Sequence, residues 1–303
     1  MRIQVHDVDH GSCITVTGPS GDVMMLDCGY SLSRPWFPSV AYAGQTIRMF
    51  IPQNLDEDHV QDLPALWNGP PIMGMFSNPT VTAGALKAMK VGQMGAGVQK
   101  AHDILAYYGA GGIGQWQHDL GGVHWHAFYN RYGLDFTDTN NLSVALFVRW
   151  GTFTILLGGD LECAGWERLL QMPDFVARLA EVRVYVASHH GRENGKCEAL
   201  FKCMRPDVVI FSDGPKRHET QETRNWYAAR VSGIPDQDKP RTASGPVMRK
   251  VMTTRSDGTL DIEVNAFGGY VVRYAKSEPT LEEVLALLIP PKPSLASIFG
   301  GIP

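Results

Sequence analysis

The sequence has little cysteine, no excess of basic charge and no long apolar run, and each absence excludes something. Its five cysteines are odd in number and show no CxxC spacing, which predicts reduced thiols in a cytosolic protein. A net charge of -4 argues against a broadly basic nucleic-acid coat, although a local basic patch remains open. No apolar run reaches about 18 residues and the first residues read as a strand, so we expect neither secretion nor a membrane partner.

What is present is a hydrophobic content of 44% in 303 residues, enough for one large domain or two small ones with a sizeable core. Short apolar runs bounded by Gly, Pro and Asp predict strands at 3–8, 13–17, 23–26, 47–51, 144–149, 153–157, 182–187, 208–211, 248–254, 260–264 and 270–274. Helical spacing predicts helices at 60–67 (broken at Pro64), 83–90, 98–108, 165–170, 175–179, 196–204 and 220–231. This order of elements predicts an α/β sandwich of two sheets covered by helices.

Acidic and imidazole side chains follow several of the predicted strands. Asp56, Asp58 and His59 come directly after the strand at 47–51, and two further strands end in Gly159-Asp160 and Ser188-His189-His190-Gly191. Carboxylate oxygen together with imidazole nitrogen suits Zn, Mn or Fe. An alternative for the first group is a solvated helix N-terminus, where acids are favoured by the helix dipole.

The order of these motifs resembles the metallo-β-lactamase fold, and within it the branch found in the competence DNA-uptake protein ComEC. The resemblance covers roughly residues 1 to 275 and depends on collinear order. The matching segments are 7–12 (DVDHGS), 27–29 (DCG), 53–59 (QNLDEDH), 140–143 (NNLS), 159–160 (GD), 188–192 (SHHGR), 218–220 (HET) and 254–258 (TRSDG). It implies a metallo-β-lactamase-like αββα sandwich with two mixed sheets between helices.

The resemblance further implies a centre of one or two divalent ions, Zn or Mn. Asp58 and His59 match the pair that holds one metal, Asp160 matches the carboxylate that bridges two metals, and Asp56 would serve the other metal. His189 matches the imidazole from the later strand end, with His190 beside it as a ligand or a supporting residue. Asp27 matches a residue under the centre, and a turn-capping role is the alternative for it.

The sequence departs from the family pattern at the first metal motif. Asn54 stands where the family has its first His, and an amide oxygen is a poor zinc ligand compared with imidazole. One metal position should therefore be weakened, or changed toward a harder ion held by oxygen. His124 and His126 lie two residues apart on a strand-like run and face one side, so they could replace a nitrogen ligand; ordinary surface or core histidines are the alternative.

The implied activity is metal-dependent hydrolysis of a phosphodiester, as in a nuclease or phosphodiesterase acting on nucleic acid or nucleotide. Metal-bound hydroxide would attack in line, and Asp56 or Asp58 would accept the water proton. His218 would protonate the leaving oxygen or contact the phosphate, and Arg192, Lys216 and Arg217 are candidate phosphate contacts. Ordinary solvated charges explain these last four residues as well.

Three further expectations concern domain organisation and the alternative function. The metallo-β-lactamase-like domain is placed at 1–275, with a variable insertion or lid at 68–125, and 276–303 reads as a short helix followed by a Pro/Gly-containing tail. Residues 278–303 form a disordered terminus or a docking peptide for a protein partner. The alternative to the enzyme is a catalytically degenerate scaffold that binds partners in a multi-protein system, such as one that defends against foreign DNA.

Overall fold

The computed structural model describes residues 1–113, 120–215, 222–236, 239, 242 and 244–274. Its strands are β1 (Arg2–Val5), β2 (Ile14–Thr17), β3 (Val23–Leu26), β4 (Ile47–Ile51), β5 (Met75–Phe76), β6 (Gly112–Ile113), β7 (His124–Phe128), β8 (Ala145–Trp150), β9 (Phe153–Leu157), β10 (Val184–Val186), β11 (Val208–Phe211), β12 (Ile234–Pro235), β13 (Met248–Arg249), β14 (Val251–Thr253), β15 (Leu260–Val264) and β16 (Tyr270–Tyr274). The helices are α1 (Pro38–Ala41), α2 (Glu57–Val60), α3 (Leu63–Leu66), α4 (Ala83–Met89), α5 (Ala96–Tyr108), α6 (Cys163–Leu169), α7 (Pro173–Leu179), α8 (Glu198–Cys203), α9 (Arg224–Ala228) and α10 (Thr254–Asp257).

Two large sheets organise the fold. The first has the strand order β16-β15-β1-β2-β3-β4-β5-β6 and the second the order β14-β11-β10-β9-β8-β7. Both are mixed, because β3, β4 and β5 run parallel in a largely antiparallel first sheet, and β9, β10, β11 and β14 run parallel beside the antiparallel β7–β8–β9 meander. The parallel strands matter for function, since their carboxyl ends share one edge of each sheet.

Alternation along the strands places a hydrophobic layer on each face of each sheet. In β3, Met24 and Leu26 point into the core between the sheets, whereas Val23 and Met25 point outward beneath helices. Successive strand residues face opposite sides, so a strand that is apolar throughout is buried on both. The central core therefore joins the inner faces of the two sheets.

Helices cover both outer faces. The outer face of the first sheet packs against α3, α4 and α5 through Leu63, Leu66, Leu86, Ala101 and Leu105. The outer face of the second sheet packs against α6, α7, α8 and α9 through Trp166, Leu169, Phe175, Leu200 and Tyr227. The layer order helix–sheet–sheet–helix and the mixed strand pairing confirm the predicted αββα sandwich of two mixed sheets between helices.

Several element bounds differ from the prediction for local reasons. The helix predicted at 60–67 is two short helices, and Pro64 lies in the first turn of α3, where its missing N–H costs nothing. The strand predicted at 248–254 is interrupted between β13 and β14, and Thr254 begins α10 instead. There the Asp257 carboxylate accepts from the Thr253 backbone N–H and from Arg249, which turns the chain into β15.

The segment at 68–125 supplies β5, β6, α4 and α5, so much of it belongs to the helical layer over the first sheet.

The predicted tail at 276–303 lies outside the described residues. In the part of the chain that the structure describes, no helix combines the length and apolar character that crossing a bilayer requires.

Candidate metal centre

Polar side chains converge where strands of both sheets reach their carboxyl ends. Asp27 directly follows β3, Asp58 and His59 lie in α2 just after β4, Asp160 follows β9, and His190 follows β10. Because β3 runs parallel to β4, and β9 runs parallel to β10, each pair delivers its loops to the same edge of its sheet. Crevices outside the carboxyl ends of strands are the usual ligand sites of such sheets.

Asp58, His59, Asp160 and His190 form one compact group, in which the four potential ligand atoms all lie within 4.8 Å of one another. His59 Nε2 is 3.0 Å from Asp160 Oδ1, and His190 Nε2 is 3.3 Å from Asp58 Oδ2 and 3.6 Å from Asp160 Oδ1. A tetrahedral zinc with bonds of about 2.1 Å holds its ligand atoms about 3.4 Å apart, close to these three separations. A small contraction of the group would place all four around one ion.

Contacts behind the group orient its two imidazoles. His59 Nδ1 donates to Asp27 Oδ2 at 2.8 Å, and His190 Nδ1 donates to the Ser212 carbonyl at 2.7 Å. With each Nδ1 engaged this way, each Nε2 faces the centre. A ligating histidine in proteins commonly donates its other ring nitrogen to a carboxylate or a carbonyl, which fixes the tautomer.

The facing atoms lie 3.0–3.6 Å from one another but, in the described part of the chain, make no well-formed hydrogen bond. Among the described residues, His59 Nε2, Asp160 Oδ1 and His190 Nε2 are buried without a hydrogen-bond partner. Buried polar atoms left unpaired cost about 1–3 kcal/mol each. Three such atoms directed at one point, with oxygen and nitrogen chemistry, fit a divalent cation.

The backbone of the β10 loop is strained to present His190. His189 and His190 have φ values of 50° and 55°, in the left-handed region that non-glycine residues seldom adopt, and Gly191 follows at 74°. Residues held in this region cost of order 1–3 kcal/mol and persist where surrounding contacts require them. The strain falls on the two histidines of the centre, as expected for a functional loop.

Two glycines let the α2 segment approach the neighbouring loops. A Cβ at Gly11 would lie 2.5 Å from the Asp58 carbonyl oxygen, and a Cβ at Gly29 would lie 2.6 Å from the same atom. The backbone N–H of Ser12 donates to this carbonyl at 3.3 Å. The loops after β1 and β3 thus hold Asp58 in place through contacts that only glycine allows.

Charges within the group shift its titration. Burial raises the pKa of Asp58, but the imidazoles of His190 and His59 outweigh burial and bring that pKa to about 2. Burial opposes ionisation of Asp160 too, yet the charges of His59 and His190 lower its pKa. Burial lowers the pKa of His59, and the carboxylates of Asp160 and Asp27 more than offset this and raise it. Both carboxyl groups are therefore ionised, as ligands of a cation must be.

His189, the imidazole that the resemblance matched to the later strand end, does not enter the group of four. Its Nδ1 is 3.7 Å from Glu162 Oε1, and its Nε2 is 3.5 Å from an Arg192 guanidinium nitrogen. The left-handed backbone directs consecutive side chains apart, so His190 faces Asp58 and Asp160 while His189 faces Glu162. Burial lowers the pKa of His189.

Asp56 and Asn54 also lie apart from the group. Asp56 forms an ion pair with Lys90 and accepts from Thr139 Oγ1 at 2.8 Å. The Asn54 amide donates to Asn140 Oδ1 at 3.3 Å, and its oxygen accepts from the Asp56 backbone N–H at 3.0 Å. The two residues predicted to serve a second metal are thus engaged with other partners.

The remaining candidates divide between surface positions and undescribed ones. His124 and His126 are exposed on β7, the edge strand of the second sheet, and neither is brought to the centre, which agrees with the surface alternative. Lys216, Arg217 and His218 lie outside the described residues. Arg192 lies at the centre, with a guanidinium nitrogen 2.8 Å from His10 Nε2.

His10 is the site residue that the sequence reasoning missed. Its ring centroid is 4.8 Å from that of His190, and its Nε2 is 3.7 Å from Asp58 Oδ2. Because Arg192 can only donate, His10 Nε2 accepts and the ring is neutral. Burial, reinforced by His190, lowers its pKa to about 4. The sequence feature that could have indicated His10 is its position just after β1, because the carboxyl end of β1 lies at the same edge of the sheet as that of β3.

The fold and the site together define an αββα sandwich with a four-residue candidate metal centre at its strand ends. No family model and no curated protein sequence matches the chain. Among solved structures, a metallo-β-lactamase fold protein YhfI from Bacillus subtilis is similar with a TM-score of 0.49 and 10% identity, over 86% of this chain and 98% of that one.

Two further solved structures are similar. The CmlA β-hydroxylase E377D mutant has a TM-score of 0.47 and 11% identity, over 86% of this chain and 54% of that one. A Zn²⁺-bound PqqB from Methylobacterium extorquens has a TM-score of 0.38 and 12% identity, over 77% of this chain and 87% of that one. The competence branch stays a prediction.

Proposed function

We propose that the chain is a metal-dependent hydrolase that cleaves phosphodiesters in nucleic acid or nucleotides. The observation that carries the proposal is the convergence of Asp58, His59, Asp160 and His190, three of them with a buried atom that lacks a hydrogen-bond partner among the described residues. A group of carboxylates and imidazoles with this spacing suits Zn or Mn, and we take one ion as the main occupant.

In this proposal each residue has a separate task. Asp58, His59, Asp160 and His190 hold the ion, and Asp27 and the Ser212 carbonyl keep the two imidazoles in register. A divalent cation at this position polarises a phosphoryl oxygen and lowers the pKa of water toward neutrality. Asp58, the most exposed of the four, is the carboxylate best placed to accept a proton from water.

The substrate class follows from the resemblance and from the basic side chain at the centre. Arg192 lies between His10 and His189, and its planar guanidinium suits a phosphate or another planar anion. In the proposal Arg192 binds the phosphodiester, and the neutral His10 orients Arg192 by accepting its hydrogen bond. The predicted roles of Lys216, Arg217 and His218 stay predictions.

A specific observation favours the non-catalytic alternative as a second candidate. Asn54 and Asp56 are bound to Asn140, Lys90 and Thr139, so the half of the centre that would hold a second ion is closed by other contacts. A scaffold that lost catalysis would retain the fold and one weakened ion position. Docking of a protein partner by residues 278–303 would belong to this alternative.

Metal content tests the centre, and substrate cleavage decides between the two candidates. The purified full chain is analysed for Zn and Mn, together with Asp58→Ala and Asp160→Ala, and Asp56→Asn is the matched control from the same loop. We expect the wild type and Asp56→Asn to hold about one equivalent more metal than Asp58→Ala and Asp160→Ala. Cleavage of single- and double-stranded DNA, RNA and a simple phosphodiester is then measured with the loaded proteins.

Each result has a clear meaning. Cleavage that disappears with Asp160→Ala while circular dichroism stays unchanged supports the hydrolase. Bound metal without cleavage of any of these substrates leaves the scaffold as the better reading. Equal metal content in the wild type, Asp58→Ala and Asp160→Ala after added Zn and Mn contradicts the metal centre itself.

A further inference from the structure

A second group of metal-ligating side chains lies on the outer side of the second sheet. Cys163, Glu167 and Cys197 each offer one ligand atom, and these atoms lie within 4.8 Å of one another. Cys163 is the first residue of α6, Glu167 is four residues later on the same helix face, and Cys197 immediately precedes α8. The group therefore joins two elements that are distant in sequence.

The separations within the group suit one small cation. The Cys163 sulfur is 3.9 Å from Glu167 Oε1. A tetrahedral zinc with bonds of about 2.3 Å to sulfur and about 2.1 Å to oxygen holds such a pair at about 3.6 Å. Only a few tenths of an ångström separate the observed spacing from that of two ligands on one ion.

Burial around the group leaves it reachable from solvent. Cys197 is buried at 1% exposure, Cys163 is half-buried, and Glu167 is exposed. A cation can thus approach from the Glu167 side and meet the two sulfurs beneath. Thiolate sulfur favours soft or borderline ions, so the ligand set excludes Mg²⁺ and Ca²⁺ and selects ions of the Zn²⁺ class.

We propose that Cys163, Glu167 and Cys197 bind a thiophilic divalent cation of the Zn²⁺ class, with solvent at the open coordination position. Cys163 follows Asp160 by three residues, and Cys197 follows His190 by seven. An ion held by both sulfurs therefore connects the two loops that carry half of the Asp/His centre. The inference does not depend on the hydrolase activity.

Cobalt(II) is the probe that separates this group from the Asp/His centre. Thiolate ligands give an intense sulfur-to-cobalt charge-transfer band in the near ultraviolet, and the Asp/His centre contains no sulfur. Reduced full-length protein is titrated with Co²⁺, and the band is compared in wild type, Cys163→Ser, Cys197→Ser and Glu167→Gln. Cys203→Ser is the matched control, since Cys203 lies on α8 near Cys197 in sequence but outside the group.

We expect the band to reach full intensity by two equivalents of Co²⁺, since the Asp/His centre can take one, to disappear in Cys163→Ser and Cys197→Ser, and to remain in Cys203→Ser. Glu167→Gln should keep the band but require more Co²⁺, and this exposed change leaves folding intact. Three results would overturn the proposal. The band could be absent in the folded wild type, it could persist in both serine variants, or the intact mass could be lower by two hydrogens because Cys163 and Cys197 form a disulfide. If the band appears but no metal is found at the Asp/His centre, only the proposed hydrolase is contradicted.

Discussion

Replacing Asp27 by Asn tests whether the centre depends on the residue beneath it. Asp27 is fully buried, and its two carboxylate oxygens accept from His59 Nδ1 at 2.8 Å and from the Gln53 backbone N–H at 2.7 Å. Asn has a single acceptor oxygen, so its NH₂ group must face one of these two donors. Asn also tolerates the left-handed backbone found here, at φ 57°, so the main-chain geometry is retained.

The magnitude follows from the role of such supporting residues. Losing the carboxylate that orients a ligating histidine typically weakens metal binding about 10- to 100-fold, which corresponds to about 1.4–2.7 kcal/mol. The donor left facing the NH₂ group costs the fold a further ~1–3 kcal/mol. We therefore expect Asp27→Asn to fold, to melt at a lower temperature and to bind metal more weakly.

The assay is competition for Zn²⁺ and for Mn²⁺ against a chromophoric chelator, using apo protein whose folding is checked by circular dichroism. Asp22→Asn is the control, because Asp22 lies at the other end of β3 and pairs with the half-exposed Arg48. Equal affinities for Asp27→Asn and wild type, in the presence of a clear loss for Asp58→Ala, would refute the reasoning.

Three further predictions follow from the same structure. Burial, with a smaller effect of Arg2, lowers the pKa of His6 to about 3, against 6.5 in the unfolded chain. The unfolded chain therefore binds a proton that the folded chain excludes, and the free energy of unfolding falls by up to about 5 kcal/mol as pH drops from 6.5 to 3. In urea titrations across this range the free energy of unfolding should change less steeply with pH for His6→Gln than for the wild type, and an equal change would contradict this. Gly29→Ala should destabilise the fold by about 1–3 kcal/mol and weaken metal binding, because its Cβ meets the Asp58 carbonyl oxygen, whereas Gly44→Ala, with open space around the added Cβ, should be near neutral in thermal melts. Arg192→Ala should raise KM for a phosphodiester while metal content stays unchanged, and unchanged KM would remove Arg192 from the substrate contacts.

The sequence predicted the layers well because buried strands are strongly marked. Val23–Leu26 is apolar throughout, and Thr154 is the one polar residue in Phe153–Leu157; both runs are buried on both faces between the core and the helices. It also indicated that the polar residues after these runs would share an edge. Short helices such as α1 and α10 were missed, since four residues carry too little periodicity to be distinguished from a turn.

Which side chains meet at that edge was decided by the tertiary structure. The choice of His190 over His189 depends on two left-handed backbone residues, and no spacing rule in the sequence encodes them. Asp56 is drawn away by Lys90, 34 residues later in the chain. His10 joins the site because β1 runs in the same direction as β3, a relation set by sheet order.

By itself, the sequence determined the two-sheet class and the strand ends at which chemistry is located, because hydrophobic alternation and punctuation are local properties. Only the tertiary structure decided the composition of the centre, since ligand atoms within 4.8 Å come from segments separated by more than a hundred residues. The same holds for Cys163 and Cys197, whose lack of CxxC spacing concealed a pair that the fold brings together. The local hydrophobic pattern specifies the strands and helices, whereas the meeting of distant side chains at one site depends on how those elements pack.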